Sequence, residues 1–104
     1  MAKDLKIVRF FTGEDIIGEV LEVTEKTTKI RNPVRIVVIP SKENPKEPGV
    51  ALAPFTNWSK DKEFVIYNHV IMCHMEPITD FINQYNSIFG GIVMADNKLI
   101  LPGN

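Results

Sequence analysis

The chain reads as a mainly β protein: a small, strongly bent five-stranded barrel with one C-terminal α-helix. Three observations lead there. Short runs rich in Val, Ile, Thr, Phe and Tyr, punctuated by Gly, Pro and Asn, fill the first three quarters of the chain. Gly18 stands inside one of those runs, where a glycine is a cost unless the strand bends sharply or another backbone comes close. After residue 76 the apolar period changes from that of a strand to that of a helix.

Taken in order, Leu5–Phe11 is apolar and β-rich, and Thr12-Gly13-Glu14-Asp15 signals a turn. Asp15–Val23 carries apolar residues on both faces, as a strand of a tightly curled sheet does. Glu25-Lys26 turns the chain into a long run, Thr27–Ile39, which Pro33 interrupts, so a bulge or bend is expected there. Strand alternation puts Lys29, Arg31 and Arg35 on one face and Ile30, Val34 and Ile36 on the other. The Pro- and charge-rich stretch 40–49 is a solvated loop. Val50–Phe55 is a further strand, and Asn57–Lys62, with Trp58 inside it, is a polar turn. Residues 63–76 read as two very apolar strands meeting at a tight junction near Asn68-His69. Ile78, Phe81, Ile82, Tyr85, Ile88 and Phe89 then recur at helical spacing. Pro77 suits the first turn, Thr79 or Glu76 offers a cap, and Gly90-Gly91 ends the helix. The expected division is a barrel over 1–76, a helix over 77–90 whose stripe packs on the barrel, and a docked extended tail over 91–104, forming a single domain.

Composition narrows the function. At 104 residues, one core is possible and two are not. Thirteen acidic and 12 basic side chains give a net charge of −1, unlike a protein that coats nucleic acid. The sum hides an uneven placement: Lys26, Lys29, Arg31 and Arg35 cluster without an acid, whereas residues 63–104 hold one base, Lys98, against four acids. A single cysteine, Cys73, allows no internal disulfide. No stretch approaches the roughly 18 apolar residues of a membrane span, and no apolar signal segment follows the first Met, so the expectation is a cytoplasmic protein with no membrane association. His69, Cys73, His74 and Glu76 do not converge as metal ligands on a strand, and no nucleophile–base pair or phosphate-cradling loop is recognisable. No enzymatic activity and no metal or other cofactor is expected.

Two motifs carry a resemblance. Gly13-Glu14-Asp15-Ile16-Ile17-Gly18-Glu19-Val20, continued by Val23, resembles the first motif of the Sm-like (LSm/Hfq) family, whose second strand bends at a glycine in that register. Val65-Ile66-Tyr67-Asn68-His69-Val70-Ile71 is similar to the second Sm motif, closest to its bacterial Hfq form Tyr-Lys-His-Ala-Ile. The pair occurs in the family's order and covers residues 5–76. Departures are clear: the helix is C-terminal, as in Sm-like proteins of phage type, rather than N-terminal. The family's Asp and Asn after the second strand fall at Thr24 and Thr28, and the Hfq lysine is Asn68.

The resemblance implies an SH3-like barrel and a homo-oligomeric ring of about five to seven subunits, in which the fourth strand of one subunit pairs with the fifth of the next. An unpaired edge of two apolar strands would otherwise invite aggregation. The interface would draw on Phe64, Val65, Ile66, Val70, Ile71 and Met72; the alternative is that the helix and tail cover this edge within one monomer. The resemblance further implies single-stranded, U-rich RNA as ligand, in an RNA chaperone-type role in the host cytoplasm if the protein is phage-encoded. Thr28, Tyr67, Asn68 and His69 would be the contacts, with Asn68 and His69 reading base edges or His69 stacking. The plain alternative is that Asn68-His69 is only a turn. Lys26, Lys29 and Arg31 could follow phosphates, or simply be solvated or paired with Glu19 and Glu22.

Overall fold

The computed structural model describes residues 4–43, 46 and 48–89. Six strands precede one helix: β1 (Leu5–Phe10), β2 (Asp15–Val23), β3 (Thr27–Ile39), β4 (Gly49–Pro54), β5 (Glu63–Tyr67), β6 (Ile71–Met75) and α1 (Thr79–Phe89). A single 3-10 turn, Asn68–Val70, links β5 to β6 at the expected junction. All pairings are antiparallel, in the order β4-β3-β2-β1-β6, with β5 also on β3. The architecture is thus mainly β with a C-terminal helix, and the six strands among the described residues match the six β-rich runs of the sequence. The described ladders do not close into a ring, because β5 and β6 share the 3-10 turn and no ladder. The tail 91–104 lies outside the described residues.

β3 is long enough to serve two partners. Residues 27–31 pair with β5 and residues 34–39 with β4. The change falls at Asn32-Pro33, as the proline predicted. Against β2, Ile17 faces Val34 and Glu19 faces Arg31, so Gly18 alone opposes two residues of β3. Asn32 takes a left-handed φ of 50°, which asparagine tolerates better than most residues. Such a bulge reverses the parity of the side chains beyond it. Ile30 therefore enters one core and Val34 and Ile36 the other, which corrects the expectation that all three share a face.

The bulge also explains Gly18. A Cβ there would stand 2.5 Å from Ile30 Cγ2, 3.2 Å from Pro33 Cα and 3.3 Å from the Arg31 carbonyl oxygen. The close backbone approach is real, and only hydrogen fits.

Two apolar clusters lie on the two sides of the sheet, which corrects the expectation of a single core: a sheet buried on both faces divides its apolar side chains between them. Val8, Ile16 and Ile30 form the inner one, with Phe10, Val20, Phe55, Ile66 and Ile71 against it. Leu5, Ile17 and Val34 form the outer one, covered by Phe81, Ile82, Tyr85 and Phe89 of α1. The helix stripe packs on the sheet as its spacing suggested. Ile78 and Ile88 stay exposed. The amides of Phe81 and Ile82 both donate to the Ile78 carbonyl, so the helix starts from Ile78, one residue after Pro77, rather than from a Thr79 or Glu76 cap. Tyr85 is fully buried, and its hydroxyl lies 3.0 Å from the Asn32 carbonyl oxygen and 3.2 Å from that of Arg31. Helix and bulge are thereby fastened together.

Candidate functional site

The 3-10 turn between β5 and β6 sits beside the turn joining β2 to β3, although more than 40 residues separate them in sequence. Thr24 shapes the second turn: its hydroxyl accepts from the Thr27 amide at 3.0 Å and lies 2.9 Å from the Thr27 hydroxyl. This orients the Thr24, Glu25 and Lys26 carbonyls toward Asn68. The Asn68 side-chain amide donates to the Thr24 carbonyl at 2.9 Å and the Glu25 carbonyl at 3.3 Å, and its backbone N–H donates to the Lys26 carbonyl at 2.8 Å. Its Oδ1 accepts from the hydroxyl of Thr28 at 2.6 Å. Thr28 is fully buried on β3, where a hydroxyl without a partner would be costly.

The four residues singled out as base contacts are therefore together, but in two different states. Thr28 and Asn68 turn inward and hold the two turns in register. Both Nδ2 hydrogens and one side of Oδ1 are engaged, so the Asn68 amide positions the turn rather than reading a base edge. Tyr67 and His69 turn outward. Their rings stack with centroids 5.8 Å apart and planes at 28°, and Tyr67 is 61% exposed.

The basic residues also divide. Arg31 is held by Glu63 on β5, with Nη2 at 3.0 Å and Nε at 3.2 Å from the same oxygen, and has Glu19 at 3.9 Å. Arg35 donates from Nε to the Pro54 carbonyl at 3.2 Å. Lys26 and Lys29 make no ion pair with any described residue, although Glu22 faces Lys29 across β2 and β3. Lys29 lies opposite Val65 and Thr27 opposite Tyr67, so an unpaired lysine and the exposed ring share one surface of the β3–β5 ladder.

The candidate interface residues alternate. Phe64, Ile66 and Ile71 are half-buried, Ile66 and Ile71 against the inner core and Phe64 edge-on to Phe55 with centroids 5.1 Å apart. Val65, Val70 and Met72 are exposed. Among the described residues, β5 pairs only with β3 and β6 only with β1, which leaves one edge of each open. α1 packs on the opposite, outer cluster.

Cys73 is a half-buried free thiol in β6, and no three His, Cys, Asp or Glu residues converge among the described residues. No described helix is long and apolar enough to cross a membrane. Two elements of the site were not visible in the sequence: the Thr24 and Glu25 carbonyls that fix Asn68, and the hydrogen bond from Tyr85 to the bulge at Asn32. Pro33 carried the signal for the bulge itself.

No family model and no curated protein matches the chain.

Proposed function

We propose that the chain is one subunit of an Sm-like homo-oligomeric ring that binds single-stranded, U-rich RNA without enzymatic activity. Tyr67 and His69 supply stacking surfaces, Lys26 and Lys29 meet phosphates, and Thr28 and Asn68 hold the turn that presents them. The observation that carries the reading is the Thr28–Asn68 hydrogen bond, which joins the two Sm-like motifs and leaves the Tyr67–His69 stack facing outward. Exposed aromatic rings beside unpaired lysines are the chemistry that grips single strands with little sequence demand.

The ring draws support from the open edges of β5 and β6. They lie on opposite sides of the subunit's sheet, so pairing β5 of one copy with β6 of the next is head-to-tail and can close. The exposed Val65, Val70 and Met72 would be covered in such an assembly. Each subunit would then add one weak contact, and the ring would multiply them.

The test is fluorescence anisotropy with labelled oligo-U. Removal of a stacking ring costs about 1–3 kcal/mol per base, so Tyr67→Ala and His69→Ala each weaken binding by roughly fivefold to a hundredfold. Affinity also falls steeply with salt. Absence of binding at low salt would sink the RNA reading. A second reading, a structural or protein-interaction module on the same barrel, is favoured by two observations: the Asn68 amide is spent internally and Arg31 is paired with Glu63. A ring that assembles yet ignores RNA would establish it.

A further inference from the structure

A second feature lies at the far end of β5 from the Tyr67–His69 stack. The loop from Phe55 to Lys62 is pinned by the backbone N–H of Asn32, which donates to the Lys62 carbonyl at 2.7 Å. Between this loop, the β3 bulge and the end of α1 lies a cleft of about 460 Å³. That volume is in the range of small-ligand sites, roughly 300–1,000 Å³. Its walls are chiefly apolar and aromatic, including Pro33, Leu52, Phe55, Phe64 and Phe89. Two exposed lysines, Lys60 and Lys62, belong to the lining and make no ion pair with any described residue. The acid between them, Asp61, also belongs to the lining and accepts from the Ser59 hydroxyl at 3.0 Å, so the two lysines leave a net positive charge of one at this rim. On the same loop Trp58 is 94% exposed, with both faces of the indole open.

An apolar, aromatic cleft with cations at its rim suits a ligand that is planar at one end and anionic at the other. An acidic peptide would satisfy the lysines and leave the cleft unfilled. We propose that this cleft is a second nucleotide-binding site: a base enters between the aromatic walls, its phosphate lies against Lys60 and Lys62, and Trp58 stacks on the next base of a strand. The proposal rests on the reading of the ligand as single-stranded nucleic acid, and it uses residues separate from Tyr67 and His69.

Trp58 is the sole tryptophan of the chain, so intrinsic indole fluorescence reports this loop alone. The full chain is titrated with uridine monophosphate, uridine, inorganic phosphate, oligo-U and oligoglutamate. A saturable change with the monophosphate is expected, with uridine and phosphate each at least tenfold weaker and oligo-U at least tenfold tighter. Lys60→Ala/Lys62→Ala should weaken the monophosphate at least tenfold, and His69→Ala should leave it unchanged. The proposal is overturned if the monophosphate gives no saturable response, if the double variant titrates like the parent, or if oligoglutamate gives the stronger response. If oligo-U binding survives His69→Ala and is lost in the double variant, the Tyr67–His69 reading fails and the cleft stands.

Discussion

Tyr85→Phe removes one oxygen from a place where the fold concentrates its constraints. The hydroxyl lies within hydrogen-bond distance of the carbonyl oxygens of Asn32 and Arg31, and the Glu19 backbone hydrogen-bonds it in turn. Phenylalanine keeps the ring, so the outer core loses no volume and the change isolates the polar contact. Leaving buried polar groups of the bulge without their partner costs about 1–3 kcal/mol. For a domain of this size, 2 kcal/mol is a fall in Tm of roughly 8–16 °C. The same substitution has a second signature. Burial first, and then the nearby Glu19 carboxylate, push the Tyr85 phenol well above its ordinary value. The unfolded chain gives up that proton near pH 10, while the folded chain keeps it. Stability from Tyr85 is therefore fully present below pH 10 and is lost as pH rises beyond it, by about 1.4 kcal/mol per pH unit. The variant has no such loss, so the gap between the two proteins narrows above pH 10. Urea unfolding followed by circular dichroism at pH 7, 9, 10 and 11 measures both effects. Equal midpoints at pH 7, or a gap that does not change between pH 9 and 11, would refute this account of how the helix and bulge are joined.

Other expectations follow from the same contacts. Gly18→Ala places a methyl 2.5 Å from Ile30 Cγ2 in the inner core and should destabilise by about 1–3 kcal/mol in urea unfolding; a variant as stable as the parent would remove the close approach from the account. Asn68→Ala deprives the buried Thr28 hydroxyl and two carbonyls of partners and should cost about 2–3 kcal/mol. Paired with Thr28→Val, it should cost less than the sum, with a coupling of at least about 0.5 kcal/mol in a double-mutant cycle. Glu63→Gln releases Arg31 toward phosphates; oligo-U affinity should rise and its salt dependence steepen by about one counterion per subunit, with unfolding free energy changed by less than about 1 kcal/mol because the pair is exposed.

Local chemistry made most elements legible. β2 and β3 begin and end where the β-rich runs do, the junction at Asn68 is a 3-10 turn, and the helix occupies the stretch whose apolar period is helical. Pro33 announced a break in β3, and Gly18 announced a close approach. What the break does is non-local. A bulge at Asn32 reverses which side chains face inward, and its register depends on β2, β5 and α1 at once. Alternation counted through Pro33 therefore misplaced Val34 and Ile36 relative to Ile30. The site followed the same pattern. The Sm-like resemblance implied that Thr28 and Asn68 share one place, but which amide atoms would be spent there depends on carbonyls of the Thr24–Lys26 turn, which residue type alone does not reveal. Arg31 and Lys29 are alike in sequence, and only the strand register assigns Glu63 to the first.

Light scattering after gel filtration tests the central claim most directly, because the open β5 and β6 edges, the outward Tyr67–His69 stack and the family resemblance all bear on assembly. The account predicts one species of about five to seven times the 11.8 kDa subunit mass, reduced to smaller species by Val65→Lys/Met72→Lys on the exposed face of those strands. A stable species of 11.8 kDa at micromolar concentration would contradict it.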